Sequence, residues 1–352
     1  MRELFLHAKK VHLYRLNGGE KAAASHGGLT VTAKYAGKRG NDICVAIVEN
    51  VDEEGYFDVE TYLETEPVDS QTVATIQELT ENEYVTFKGT GALTAAAGLH
   101  LTGGTTGTAA GSAYTDFLEA AEAEDFNVLV YNGSDETTKK LFVNFTKRMR
   151  DEEGVKFVTV LHDHPEADHE GVISVGTCRE LVYWVAGATA GAEVNESLTN
   201  TVYDGEYEVD GKMKKSEYIK GIRAGQFLFY EEDGKLRALR DINSFTSFET
   251  AKNSDFSSNR VVRVLDSIAN DVANIFSKYY LGKQSNNANG RNLLKAEILA
   301  YHEKLMKIEA IENFTAEDIT VEKGVEKQDV VVYESVQPVD AMEKLYMKVE
   351  VV

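Results

Sequence analysis

The stretch HDHPEADHE, His162–Glu170, packs three histidines and four carboxylates into one short run. These are side chains that hold zinc. His162 and His164 would share one face if a strand ran through them, and Asp168, His169 or Glu170 would return from beyond Pro165. A zinc centre needs three or four such atoms converging at about 2.0–2.2 Å, with partners that fix the imidazoles. Against this, Pro165 followed by Glu166, Ala167 and Asp168 is turn chemistry, where charged side chains are ordinarily solvated. No distant His or Cys cluster offers a complement. The residues read as a solvated turn with no metal bound, and a metal-dependent hydrolase using His162–Glu170 stands as the alternative.

Other chemistry is sparser still. LTGGTTGTAAGSA, Leu101–Ala113, has the glycine content of a phosphate-cradling loop but lacks the Lys-Ser/Thr ending that reaches phosphates, so it reads as a flexible connector. No G-x-S-x-G elbow, H-E-x-x-H helix or C-x-x-C pair occurs, and Cys44 and Cys178 stand far apart. Trp184 lies among Val182 and Val185 and reads as core. The common nucleophilic and metallohydrolase constellations therefore have no local signature here.

The elements that must position these residues change character along the chain. After a short helix-like start, residues 1–100 read as β-rich: VHLYR, LTVTAKY, ICVAIVE, YFDVETYLE and EYVTFKG are strand-like and split by glycine turns. SQTVATIQEL reads as a helix capped by Ser70. Residues 101–112 form the linker. In 113–245, helices YTDFLEAAEAE, ETTKKLFVNFTKRMRDEE and RELVYWVAGATAGA alternate with strands FNVLVY, VKFVTVL and GVISV, which implies a partly parallel, two-sided sheet. GQFLFYEEDGKLRALRDI reads as a hairpin turning at Asp233-Gly234.

Residues 246–352 carry two long amphipathic helices. Val261, Val264, Leu265, Ile268, Val272, Ile275 and Tyr279 recur at helical spacing in the first; Leu294, Ile298, Tyr301, Leu305 and Ile308 do so in the second. The chain closes on DVVVYESV and KLYMKVEVV. In the latter, Leu345, Met347, Val349 and Val351 face one way and Tyr346, Lys348 and Glu350 the other. Such a strand either pairs inside its own domain or is donated to a neighbouring copy.

Bulk properties narrow the partners. Thirty-seven Lys and Arg against 58 Asp and Glu give a formal charge of -21, a field that repels nucleic acid and anionic lipid. Neither a signal peptide nor a membrane-spanning run is read, so no membrane insertion is expected.

Several stretches, taken together, resemble the contractile tail sheath proteins of myophages, defective prophages and R-type bacteriocins of Gram-positive bacteria. They are YRLNGGEKA, TAKYAGKRGNDI, the loop at Gly103–Gly107, DHEGVISV, WVAGATAGAEVNESLT, DINSFTSF, NRVVRVLDSIANDV and GKQSNNANGRNLLKAEI, in family order. The resemblance implies a multidomain α/β and β chain. Its parts would be a small β-sandwich, an α/β domain similar to subtilisin but without its catalytic triad, and a C-terminal α/β domain ending in a strand arm at 343–352.

It also implies a mechanical function, with no enzymatic activity, no catalytic residue and no cofactor. Subunits would stack helically around a tail tube, wait in a metastable extended state, and contract to drive the tube through a cell envelope. The implied partners are many copies of the chain itself, the tail tube protein, and baseplate and tail terminator proteins. The implied location is a virion or phage-tail-like particle assembled in the host bacterial cytoplasm. Leu345, Tyr346, Met347, Lys348, Val349, Glu350 and Val351 would be the subunit interface. Arg291, Lys295, Lys304 and Lys307 are tube-facing candidates, with Glu297 and Glu303 interspersed. The family has an N-terminal arm ahead of the segment that RELFLHAKKVHLYRL matches, so we expect that arm to be trimmed or lacking here.

Overall fold

Packing divides the chain into two units, residues 13–121 and residues 1–12 with 122–352, in a computed structural model that describes residues 1–350. The chain opens with a single-turn helix, α1 (Arg2–Phe5), which belongs to the second unit.

The first unit is built by alternation. Strands β1 (Ala23–His26), β2 (Leu29–Ala33), β3 (Ile43–Glu49), β4 (Phe57–Leu63), β5 (Glu66–Val73), β6 (Val85–Gly89) and β7 (Ala96–His100) form two antiparallel sheets, ordered β1-β2-β6 and β5-β4-β3-β7. Leu29, Val31 and Ala33 of one sheet and Ile43, Val45 and Ile47 of the other point into a shared core with Val59, Val85 and Leu101. Every second residue is buried, the period that a strand with one solvated face requires. Helix α2 (Gly111–Ala121) ends the unit.

Three expectations are corrected here. SQTVATIQEL is not a helix capped by Ser70: Ser70 sits in β5 opposite Glu60 of β4, and only a 3-10 turn, Ile76–Glu78, follows. Thr72, Val73, Thr75 and Ile76 are β-branched and gain little from a helix, whereas β4 offers a full ladder. VHLYR forms no strand; Leu13 is 66% exposed and Tyr14 46%.

The Gly-rich linker is not free either. Thr102 exchanges backbone hydrogen bonds with Ala23, and Thr105 does so with Glu20; Gly107 N donates to Gly18 O, and Asn41 clasps Gly104 at 2.9 and 2.8 Å. A side chain at Gly19, where φ is +141, would put its Cβ 2.1 Å from Thr105 O, so this pairing depends on glycine.

The second unit is organised by a parallel sheet of β8 (Val128–Tyr131), β9 (Val158–His162), β10 (Val172–Val175) and β11 (Gln226–Phe227), adjacent in that order. Helix α3 (Glu136–Lys147) precedes β9. The Asp135 carboxylate accepts from Thr138 N at 2.7 Å and caps it. Helix α4 (Val182–Gly191) follows β10 and buries Trp184 completely; the indole Nε1 donates to Asp204 Oδ1 at 2.7 Å. Gly187 and Gly191 let α1 and the residues after it approach closely, since a Cβ there would meet Leu4 O at 2.7 Å and His7 O at 2.6 Å. Helix α5 (Lys215–Arg223) leads into β11. The hairpin β12 (Phe229–Glu232) and β13 (Lys235–Ala238) turns at Asp233-Gly234 with φ of 51 and 70, the doubly positive turn that suits twisted strands.

Helices α6 (Asn259–Ile275) and α7 (Ala288–Lys307) are capped by Ser258 and Asn287. Val264, Ile268, Leu294, Ile298 and Leu305 form their common core with Phe314 and Ile319. The inward stripe stops short of the expected Tyr279, which is 56% exposed in the π-turn after α6; Ile308 is 45% exposed. Two small antiparallel pairs close the unit: β14 (Ile311–Glu312) with β17 (Gln337–Pro338), and β15 (Ile319–Lys323) with β16 (Val330–Glu334). The expected strand at KLYMKVEVV does not form over Lys344–Glu350, and Val351 lies outside the described residues. Among the described residues no helix is long and apolar enough to cross a membrane.

Candidate functional site

The stretch His162–Glu170 joins two strands that run the same way. β9 and β10 are parallel, with Thr159 opposite Val172 and His162 opposite Val175, and only residues 163–171 connect them. A parallel connection ordinarily takes a dozen or more residues, because the chain must travel back along the sheet before the next strand starts. Here it does so by sharp turns. Asp163 (φ 41) ends the strand, Pro165–Ala167 make a 3-10 turn, and Asp168 (φ 43) redirects the chain.

The expectation of a solvated turn is therefore corrected. Crossing back packs the loop into the molecule, leaving His164 1% and His169 5% exposed, with Glu170 also buried. The crossover also separates the two histidines. His164 N donates to Ser174 Oγ near the carboxyl ends of the strands, while His169 O accepts from Val172 N where β10 begins. The loop's ligands fall into two groups, Glu136–His164–Glu166 and Asp151–His169–Glu170, and His162 joins neither. A hydrolase built on one convergent cluster is not supported.

Each group has its own electrostatics. His169 Nδ1 accepts from Gly171 N at 3.0 Å, which leaves the proton on Nε2 to be donated to Asp151 Oδ2 at 3.1 Å. Burial lowers the pKa of this imidazole, against the pull of Glu170 and Asp151. Glu170 in turn takes a 2.8 Å bond from Lys252 Nζ. Beside them Arg150, 3% exposed, makes a two-pronged bond to Asp266 of α6 at 2.6 and 2.8 Å. Burial pushes the Asp266 carboxyl up, and Arg150 opposes it.

The residues that hold this loop come from DINSFTSF, which sequence reasoning quoted without giving it a role. Ser244 Oγ accepts from His169 N and donates to His169 O; Ser244 N donates to Val172 O at 2.8 Å. Asp168 Oδ1 accepts from Thr246 N at 2.7 Å and Ser247 N at 3.0 Å. Burial alone would raise this carboxyl, but the hydrogen bonds from Ser247 and Thr246 outweigh it and hold it below its ordinary value. Asp241 accepts from Leu198 N and from Asn259 Nδ2 at the start of α6. Small polar residues at close spacing were the available signal, since buried polar side chains come with partners.

At the other end, the terminal segment is tied down and then released. Val339 N donates to Ala310 O, and Ser258 Oγ donates to Asp340. Glu343 accepts from Thr199 Oγ1 and from Arg240 Nε, both at 2.7 Å. Beyond it Leu345 is 88% exposed, Tyr346 89%, Met347 77% and Val349 73%. The tube-facing candidates split. Arg291 and Lys295 are half-buried and donate to Asn286 and to Ala316 O within their own fold, whereas Lys304 and Lys307 are exposed.

Comparison with known proteins gives these features a family. Residues 17–108 match the phage tail sheath protein beta-sandwich domain, 107–244 its central domain and 251–352 the phage tail sheath C-terminal domain. The phage-like element PBSX protein XkdK of Bacillus subtilis is 36% identical across this whole chain and 84% of its own length. A sheath tail protein of Desulfitobacterium hafniense has a TM-score of 0.91 at 45% identity, covering 99% of this chain and 85% of that one. One of Listeria innocua has a TM-score of 0.83 at 37% identity, covering 98% and 84%. The sandwich, the parallel-sheet part and the helical C-terminal part follow one another as in that family, and the chain belongs to the phage tail sheath proteins, structural components of the tail.

Proposed function

We propose that this chain is a contractile sheath subunit: many copies stack helically around a tail tube, are held extended, and contract to drive the tube through a cell envelope. One observation carries the proposal. The chain is pinned at Glu343 and then presents an alternating apolar segment, Leu345, Met347 and Val349, with no strand partner among the described residues. A monomer with such a segment exposed is an invitation to pair with another chain.

In this reading the segment through Val351 completes a sheet in a neighbouring copy. Four to six backbone hydrogen bonds, worth about 1 kcal/mol net each, hold the joint while rigid bodies turn. Contacts between different surfaces of identical copies propagate as a helix rather than closing into a dimer, and the extended array waits behind a kinetic barrier. Of the four candidates, Lys304 and Lys307 are exposed and would face the tube; Arg291 and Lys295 are engaged within the fold. Baseplate and terminator proteins bound the array in a virion or phage-tail-like particle assembled in the host cytoplasm. The four parallel strands with flanking helices support a subtilisin-like fold for the central part, in which the resemblance implies no catalytic triad.

Deletion of Lys344–Val352 tests the proposal. The truncated subunit should melt where the full chain does and form no tubes by negative-stain microscopy. Tubes from the truncated chain would refute strand donation.

A further inference from the structure

His164 is 1% exposed, yet its Nδ1 has no hydrogen-bond partner. That nitrogen faces Glu166 Oε1 at 3.0 Å and Glu136 Oε2 at 3.2 Å. A proton on Nδ1 would meet neither oxygen at hydrogen-bond geometry, and a lone pair there would repel both unless a positive centre lies between them. Donor atoms bound to one metal at about 2.0–2.2 Å, at angles between right and tetrahedral, stand roughly 3.0–3.5 Å apart. Both edges from His164 already have that length, and all three atoms lie within 4.8 Å of one another.

The second group is the built-in contrast. At His169 the backbone N–H of Gly171 occupies Nδ1, so Nε2 carries the proton and points it at Asp151. A metal there would have to displace that proton and leave an imidazolate. No such bond occupies His164 Nδ1.

We propose that Glu136, His164 and Glu166 bind a divalent transition cation, with zinc the best match to one imidazole and two carboxylates. Lys139 Nζ, 2.7 Å from Glu136 Oε1, occupies that oxygen and leaves Oε2 as the single ligand atom. The carboxylate side chains are 56% and 58% exposed, so ions reach the site and water completes the shell. The ion stitches the first turn of α3 to the crossover loop, closing the carboxyl end of the sheet. This role is structural and goes beyond the sheath reading.

The test is titration of the full-length subunit with zinc chloride, followed by calorimetry, and with cobalt, followed by visible absorption. The wild type should take up one saturable ion. His164→Gln and Glu166→Gln should each weaken binding at least about tenfold and lose the cobalt bands, while His169→Gln keeps both. Because Glu166 is exposed, Glu166→Gln carries the test if His164→Gln fails to fold. Absence of saturable uptake below millimolar zinc, or wild-type binding by Glu166→Gln, overturns the proposal in favour of a simple imidazolium ion pair. Loss of binding in His169→Gln alone overturns it in favour of the other group.

Discussion

The crossover loop 163–171 and the terminal segment 344–350 invert each other. The first is charged and yet buries His164, His169 and Glu170; the second is largely apolar and exposed. The difference lies in partners. Asp168, His169 and Glu170 each find a donor or acceptor within the chain, from Thr246, Asp151 and Lys252. Leu345, Met347 and Val349 find no cover among the described residues. Composition alone misassigns both, because burial follows from where the backbone must run and what it meets.

The comparison breaks first at the wall of the loop. Arg150 packs so tightly on Gly171 that a Cβ there would lie 2.4 Å from its Cδ. Arg150→Met leaves Asp266 buried without its cation and should cost about 3–5 kcal/mol in a denaturant melt. Adding Asp266→Leu should recover most of that, since the pair is replaced rather than broken. An equal loss in the double variant would mean that packing against Gly171, not charge, holds the wall.

A smaller effect is pH-dependent. The folded pKa of His169 lies below its ordinary value, so the unfolded chain binds the proton more tightly. Its contribution is fully present above the usual histidine range near 6.5 and is lost as pH falls through the folded value. Asp151 and Glu170 moderate the shift, and Arg150 adds to it. Stability should decline below about pH 6.5 by at most about 1.4 kcal/mol per pH unit from this group. In His169→Gln that part of the slope should vanish in melts across pH 5–8.

The smallest effect belongs to the tail. Leu345→Ser should change subunit stability by less than about 0.5 kcal/mol, because an 88% exposed side chain has little burial to lose. The same variant should slow tube formation in light scattering. A large drop in melting temperature would place the segment inside its own fold.

Much of the architecture was legible where one period dominates. The alternation of Leu29, Val31 and Ala33, the helical stripe of Val261, Val264 and Ile268, and the Asp233-Gly234 turn all appear as read. The failures share a cause. Ser70–Glu78 carries no signal for the ladder to β4, and HDHPEADHE carries none for the direction of the next strand. Whether two strands are parallel or antiparallel is a long-range fact, and it alone turns a surface bend into a buried crossover. The terminal segment was legible in its alternation but not in its lack of a sheet, since a run of alternating residues does not say whether a strand edge lies within reach of it, and among the described residues none pairs with it.

Glu343 gives the molecule a grip point. Tension applied to the residues beyond it enters the body through Thr199 and Arg240. Thr199 Oγ1 accepts from Asp241 N, and Asp241 holds Asn259 at the head of α6. These bonds connect Glu343 to the start of a long helix through buried polar contacts. Whatever force the residues beyond Glu343 bear reaches the body through that short series of hydrogen bonds, one after another.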